Sequence, residues 1–309
     1  MAAASTPIDL SLLPVPDVVE TLDYETILAT RKADLLALCP VDMQPAIAAV
    51  LALESEPLTI LLQENALREL TWRQRVNEAC RAVLVATAVK ADLDNLAARH
   101  NVTRLLVSPG DDTAYPPVPA IYETDDSLRQ RVPEAFEGMS VAGPRGAYLY
   151  HARSADGAIA DVSAVSPTPC QVVVSVLSRE GDGTASADLL AKVDAALDLE
   201  TIRPLADEVI VQSSEIVPFQ VKATLYLRNS GPGQTEAVNA AISRVQAFVS
   251  RAQRQGASVW RTQISALLHV EGVSHLDLEE PAADIVLTAA QAATCTDVIV
   301  TAAVDTDNG

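Results

Sequence analysis

Apolar positions recur at intervals of three and four in the helical segments between Tyr24 and Ala155, then alternate or run together after Gly157, so a mainly helical half precedes a strand-bearing half. Tyr24, Leu28, Leu35 and Leu38 share one face of a predicted helix over 24–38, with Asp23 as N-cap and Pro40 as its stop. A second helix starts near Asp42, with Pro45 in its first turn, where a missing N–H costs nothing. Pro57 forces a kink or a restart capped by Ser55. From there a stripe runs Leu58, Leu62, Ala66, Leu70, Val76, Cys80, Val83, Leu84, opposite a charged face. The pairs Glu64–Arg68 and Glu69–Arg73 each add about 0.2–0.5 kcal/mol of helix stability. A helix this long needs packing of its stripe, and it cannot pack against itself. The cover lies elsewhere in the chain or on another subunit, and the residues alone leave both open. Asp92 or Asp94 caps a short helix ending near His100–Asn101.

Ahead of these helices, Pro7, Pro14 and Pro16 make residues 1–20 an extended arm, with Ile8, Leu10, Leu12 and Leu13 as anchors. Residues 102–124 read as an irregular crossover, from Pro109, Gly110, Pro116, Pro117 and Pro119. A helix near Asp125–Glu137 should be kinked by Pro133; a glycine-rich turn and a helix near Ala147–Ala155 follow. Strands are expected at Ile159–Val165 and Gln171–Leu177, then a helix near Ala187–Leu197 and strands at Val209–Gln212 and Val217–Leu227. Helices at Gln234–Arg254 and Thr262–Leu268 precede short strands at Val273–Leu278, Ile285–Leu287 and Val298–Thr301, with a frayed tail from Asp305. The fold class is α+β: an N-terminal helical bundle region over 21–101, a crossover over 102–155, and small α+β domains at 156–215 and 216–309.

Length permits two or three domains in 309 residues, and 49% hydrophobic content excludes disorder, with 4% aromatics giving aliphatic, Ala-rich cores. The net charge of -19 is spread along the chain with no basic patch, which argues against nucleic acid and against anionic membranes as partners. Arg outnumbers Lys 18 to 4, a bias that fits either genome composition or planar guanidinium pairs at interfaces. Cys39, Cys80, Cys170 and Cys295 lack metal spacing and are expected to be reduced, mostly buried thiols. The N-terminus lacks a basic and an apolar region, so no signal peptide is expected, and no apolar run suffices to span a bilayer.

Catalytic constellations are absent from the pattern. Neither GxSxG nor HExxH occurs, and Gly138–Pro144 lacks the Lys-Ser/Thr ending of a phosphate loop, so it reads as a turn. His269, Glu271 and His275 have the chemistry of zinc ligands, but a helix end passing into a strand does not fix them on one face. Asp111-Asp112 and Glu279-Glu280 read as solvated loop charges. Trp72 among Arg68, Arg73 and Arg75 could stack on a base, yet the interleaved glutamates favour a protein–protein helix face. No cofactor is expected.

Six segments in order carry a family resemblance: Ile8–Leu28, Leu51–Ala79 (LALESEPLTILLQENALRELTWRQRVNEA), Asp92–Leu105 (DLDNLAARHNVTRL), Ala135–Gly157, Ser175–Ser186 (SVLSREGDGTAS) and Leu267–Val273. The chain resembles the baseplate assembly protein J family of contractile-tail phages, over nearly its whole length. The resemblance implies a structural wedge subunit in which two copies of the chain join a smaller related wedge protein around the tail hub, with hub and sheath proteins as further partners. It implies that helices of the three chains form a bundle and that the α+β parts meet neighbouring wedges. The expected interface residues are Leu58, Leu62, Leu70, Trp72, Arg73, Val76, Val83 and Leu84. The rivals are a tail-associated hydrolase of cell-wall or surface polymer, which needs opposed carboxylates or an activated nucleophile, and a host-binding adhesin, which is usually β-rich and repetitive.

Overall fold

The computed structural model describes residues 10–199, 202–227 and 233–305; residues 1–9 of the expected arm and 306–309 of the tail lie outside that set. The described residues up to Thr103 form one compact unit, and those from Arg104 onward form another.

The first unit is helical. A 3-10 turn at Leu10–Leu12 leads to α1 (Tyr24–Leu38), where Asp23 caps the helix by accepting from the N–H of Thr26. The α2 helix (Gln44–Leu51) has proline in its first turn, and α3 (Pro57–Ala82) is the long helix. Ser55 is not its cap: Glu56 takes that place without a side-chain bond, because Pro57 already sets the first helical torsion and lacks an N–H. The α4 helix (Lys90–Ala98) starts before both aspartates expected to cap it, with Val89 at the cap. Burial of Leu93, Leu96 and Ala97 decides the start, and Asn101 ends the segment in the left-handed region at φ 58.

In the second unit the expected crossover carries a small ribbon, β1 (Leu106–Ser108) against β2 (Ile121–Tyr122). The α5 helix (Asp125–Glu134), capped by Thr124, stops one residue after Pro133 instead of continuing kinked to Glu137. A 3-10 turn and α6 (Arg145–Ser154) follow. The strands β3 (Ile159–Val165) and β4 (Gln171–Ser178) are antiparallel, and α7 (Ala187–Leu197) crosses to β5 (Glu208–Ser213), parallel to β4. Gly183, at φ 103, makes the turn into that crossover; a Cβ there would lie 2.8 Å from Leu177 Cδ1. Val162, Ala164, Val174 and Val176 from the sheet meet Tyr148 and Ala152 of α6 and Leu189, Val193 and Leu197 of α7.

The last sheet has the order β7-β6-β8, with β6 (Glu215–Leu227) central, β7 (Val273–Glu280) antiparallel to it and β8 (Gln291–Val304) parallel. The helices α8 (Gly233–Ala252) and α9 (Arg261–Leu268) supply Ala241, Val245, Ile264 and Leu268 to the core against Val221, Ala223 and Leu225. Residues 285–287 are not a strand; Ile285 forms an isolated bridge with Val259. Gln255 ties the two sheets together, its backbone N–H donating to Asp161 Oδ2 (3.1 Å) and its amide to the carbonyl of Ser175 (2.9 Å) and to Ser214 Oγ. The architecture is mixed α+β: N-terminal helices, then small mixed sheets with helices in the C-terminal half.

Candidate functional site

In the helical unit the two longest helices, α1 and α3, meet along an apolar strip. Ile27 and Leu28 of α1 meet Ala66 of α3, whose small side chain admits the close approach, and Tyr24, Leu62 and Leu70 close around them. Ionic ties frame this strip. Glu69 receives Arg31 at 2.5 Å and Arg73 at 2.6 Å, while Arg73 also reaches Glu20 at 3.0 Å. Partial burial works against ionisation of Glu69, but the two guanidinium groups prevail and hold its carboxyl below the usual carboxylate range. Asn77, buried on α3, accepts from the N–H of Glu20 (3.1 Å) and donates to its carbonyl (2.8 Å), fastening the segment before α1. The Asn77 contact was not legible in the sequence; its one signal was an amide at the helical position in line with Leu70.

The expected interface residues therefore divide. Leu62 and Leu70 are covered by α1 of the same chain, and Arg73 is engaged in ion pairs within the chain. Leu58 and Leu84 are half-buried. Trp72 (68% exposed), Val76 and Val83 face solvent. The stripe read as one seam is two faces, because a spacing of three or four accumulates a drift around a 26-residue helix. At about 100° per residue, Leu61, Trp72, Val76, Ala79 and Val83 form a second line, about 130° around α3 from the Thr59–Ala66–Leu70 line. The half-buried amide of Asn65 is its one polar member. Leu61 is exposed with the others and was missed as a site residue. Its signal was helical phase, since it stands about three full turns before Trp72 and so on the same side of the helix. Ile60 and Leu67 on α3 and Leu38 on α1 are exposed too, so the helical unit carries apolar side chains outside its own core.

Outside this helical unit, reactive side chains meet at Ser274, His275 and Asp305. Ser274 Oγ donates to Asp305 Oδ2 at 2.5 Å, and His275 Nδ1 lies 3.7 Å from the same oxygen with its ring stacked on Tyr226. A Ser–His–Asp relay requires the hydroxyl on the imidazole, and here it is on the carboxylate. His269 caps α9, and among the described residues no group of three His, Cys, Asp or Glu side chains could hold a metal ion. Gly138 belongs to the turn before α6, packed under the Tyr150 ring. Among the described residues, no helix is long and apolar enough to cross a membrane.

The sequence matches three family descriptions in order: Baseplate J-like N-terminal domain over 54–111, Baseplate J-like central domain over 140–213, and Baseplate J-like protein C-terminal domain over 217–301. It is 54% identical over 290 residues to baseplate protein J of Escherichia phage P2, covering 94% of this chain and 96% of that protein.

Proposed function

The chain belongs to the baseplate J-like family, and on that premise we propose that it is a non-enzymatic wedge subunit of a contractile-tail baseplate. The observation that supports this reading is the second face of α3, where Leu61, Trp72, Val76 and Val83 stand exposed in a helical line. An aromatic side chain amid aliphatic ones on a rigid helix is the composition of an interface core. The intersubunit bundle then uses this face, while the Leu62–Leu70 face serves the chain's own α1. The partners in the bundle are a second copy of the chain and a smaller related wedge protein, with hub and sheath proteins beyond. The α+β units at about 156–215 and 216–309 supply contacts between wedges. Interfaces with two alternative packings let the ring change shape on host contact and release sheath contraction. Assemblies of this permanence typically bury about 2,000–5,000 Å² per interface.

The test separates the two faces. Trp72→Asp combined with Val76→Asp should leave the isolated chain folded, with circular dichroism and melting like the parent, and should stop its incorporation into baseplates. Leu62→Asp should instead disrupt the packing of α1 on α3 in the isolated chain. Baseplates assembled at parental yield from the Trp72/Val76 variant would overturn the bundle assignment.

A further inference from the structure

The β1–β2 ribbon carries a loop that neither sheet nor helical core requires, and the loop is built to hold its shape. Asp111 Oδ1 accepts from the N–H groups of Thr113 (2.8 Å) and Ala114 (3.2 Å) and from the Thr113 hydroxyl (2.5 Å). The backbones of Asp111 and Val118 bridge in both directions at 2.8 and 3.0 Å. At Gly110 a Cβ would meet the Ala120 nitrogen at 2.8 Å and the Val118 carbonyl oxygen at 2.9 Å, so the two limbs cross at contact distance. Pro116, Pro117 and Pro119 remove further torsional freedom on the returning limb. At the tip Tyr115 is 102% exposed, and Leu106, Val118, Ile121 and Tyr122 below it are exposed as well.

A rigid loop presenting a bare aromatic ring has already lost the entropy that docking would otherwise cost. The same ring in water gains nothing there; it gains on entering a pocket that covers its apolar body and bonds its hydroxyl. The charge around it describes that pocket. From Leu105 to Leu128 the chain has no Lys or Arg, and Asp111 and Asp112 flank the tip. The complementary surface is an apolar slot rimmed by basic side chains. A second copy, from a chain of net charge -19, is a poor match, and an anionic membrane is excluded by the same sign.

We propose that the Gly110–Ala120 loop is a docking finger that inserts Tyr115 into an apolar, basic-rimmed pocket on a different protein of the baseplate. The inference rests on the structural reading above and deepens it, adding a contact separate from the α3 face and stating the chemistry of its partner.

The experiment uses the full chain in tails assembled by co-expressing the gene cluster that encodes it. Parental chain must first appear in the tails; if it does not, the baseplate reading itself fails, independently of the finger. Tyr115→Ala should melt like the parent, since the ring touches solvent, yet lower incorporation about tenfold or more. Asp112→Lys should lower it by a smaller factor through repulsion from the rim. A photo-crosslinking phenylalanine analogue at position 115 should join the chain to another baseplate protein, at a peptide combining apolar and Lys or Arg residues. Parental incorporation of Tyr115→Ala overturns the proposal. So does a crosslink to a second copy of the chain, or no crosslink in tails that contain the labelled chain.

Discussion

Arg131 and Glu123 face each other at 2.6 Å with side chains only 3% and 1% exposed. Both charges are out of water, so their attraction has to offset a large desolvation cost. It does so with help: Glu123 also accepts from the N–H of Leu105 (3.0 Å) and the Ser127 hydroxyl (2.9 Å), joining the base of the ribbon to α5. Removing one partner leaves a buried, uncompensated charge. Arg131→Met should therefore destabilise the second unit by about 3–5 kcal/mol, read from the urea midpoint, and adding Glu123→Gln should restore much of the loss. Nothing in the sequence marked the pair, because Glu123 stands in the irregular crossover, where no period relates it to Arg131 on the helix that follows. The cysteines show the same limit. The four thiols were expected to be mostly buried, but Cys39, Cys80 and Cys295 are half-buried and Cys170 is exposed, at a positive φ of 65 between β3 and β4. Burial pushes the Cys295 thiol above its ordinary value of 9.0. A raised thiol value means less thiolate at any pH below it, so alkylation of the native chain should reach Cys170 first and Cys295 last. Peptide mapping of the modified sites checks the order; equal rates would contradict the burial of Cys295.

Elements were legible where one local signal dominated. Asp23 caps α1 as expected, and the helix expected near Ala187–Leu197 is α7, where the structure adds a cap at Ser186, which accepts from the N–H of Leu189 at 3.2 Å. Ser186→Ala should cost about 0.5–2 kcal/mol and lower the melting temperature of the second unit without altering its sheet content. Elements were illegible where a neighbour supplied the order. The β8 strand runs 14 residues, yet only its Val298–Thr301 stretch has the β-branched run expected of a strand. Its first half, which includes Ala292 and Ala293, is held extended by β6, which pairs with it from Glu215 to Leu227. The long α3 helix failed in a different way. Its periodicity announced a helix, but a spacing of three and four permits two faces, and only the position of α1 says which is already covered.

At the scale of the molecule, the periodicity changes at Gly157 while the compact unit begins at Arg104. The reason is ionic as much as apolar. Arg153 of α6 bonds Glu134 of α5 and Asp161 of β3, each at 2.5 Å, so helices that read like the N-terminal ones are drawn to the sheet. What remains N-terminal is a unit whose main helix pair buries little beyond Ile27, Leu28 and Ala66, whereas β6 lies under a continuous core of two helices. Local opening is easiest where few apolar groups must be exposed to reach it. In the isolated chain, amide hydrogens of α1 and α3 should therefore exchange with solvent faster than those of β4 and β6. Incorporation into a baseplate should reverse the order for α3, since a partner on the Leu61–Val83 face covers its exposed apolar line, whereas β6 should change little. Hydrogen exchange read by mass spectrometry on both forms makes the comparison directly. If α3 were already as protected as β6 in the isolated chain, its exposed apolar line would need no partner to be stable, and that line would no longer point to assembly.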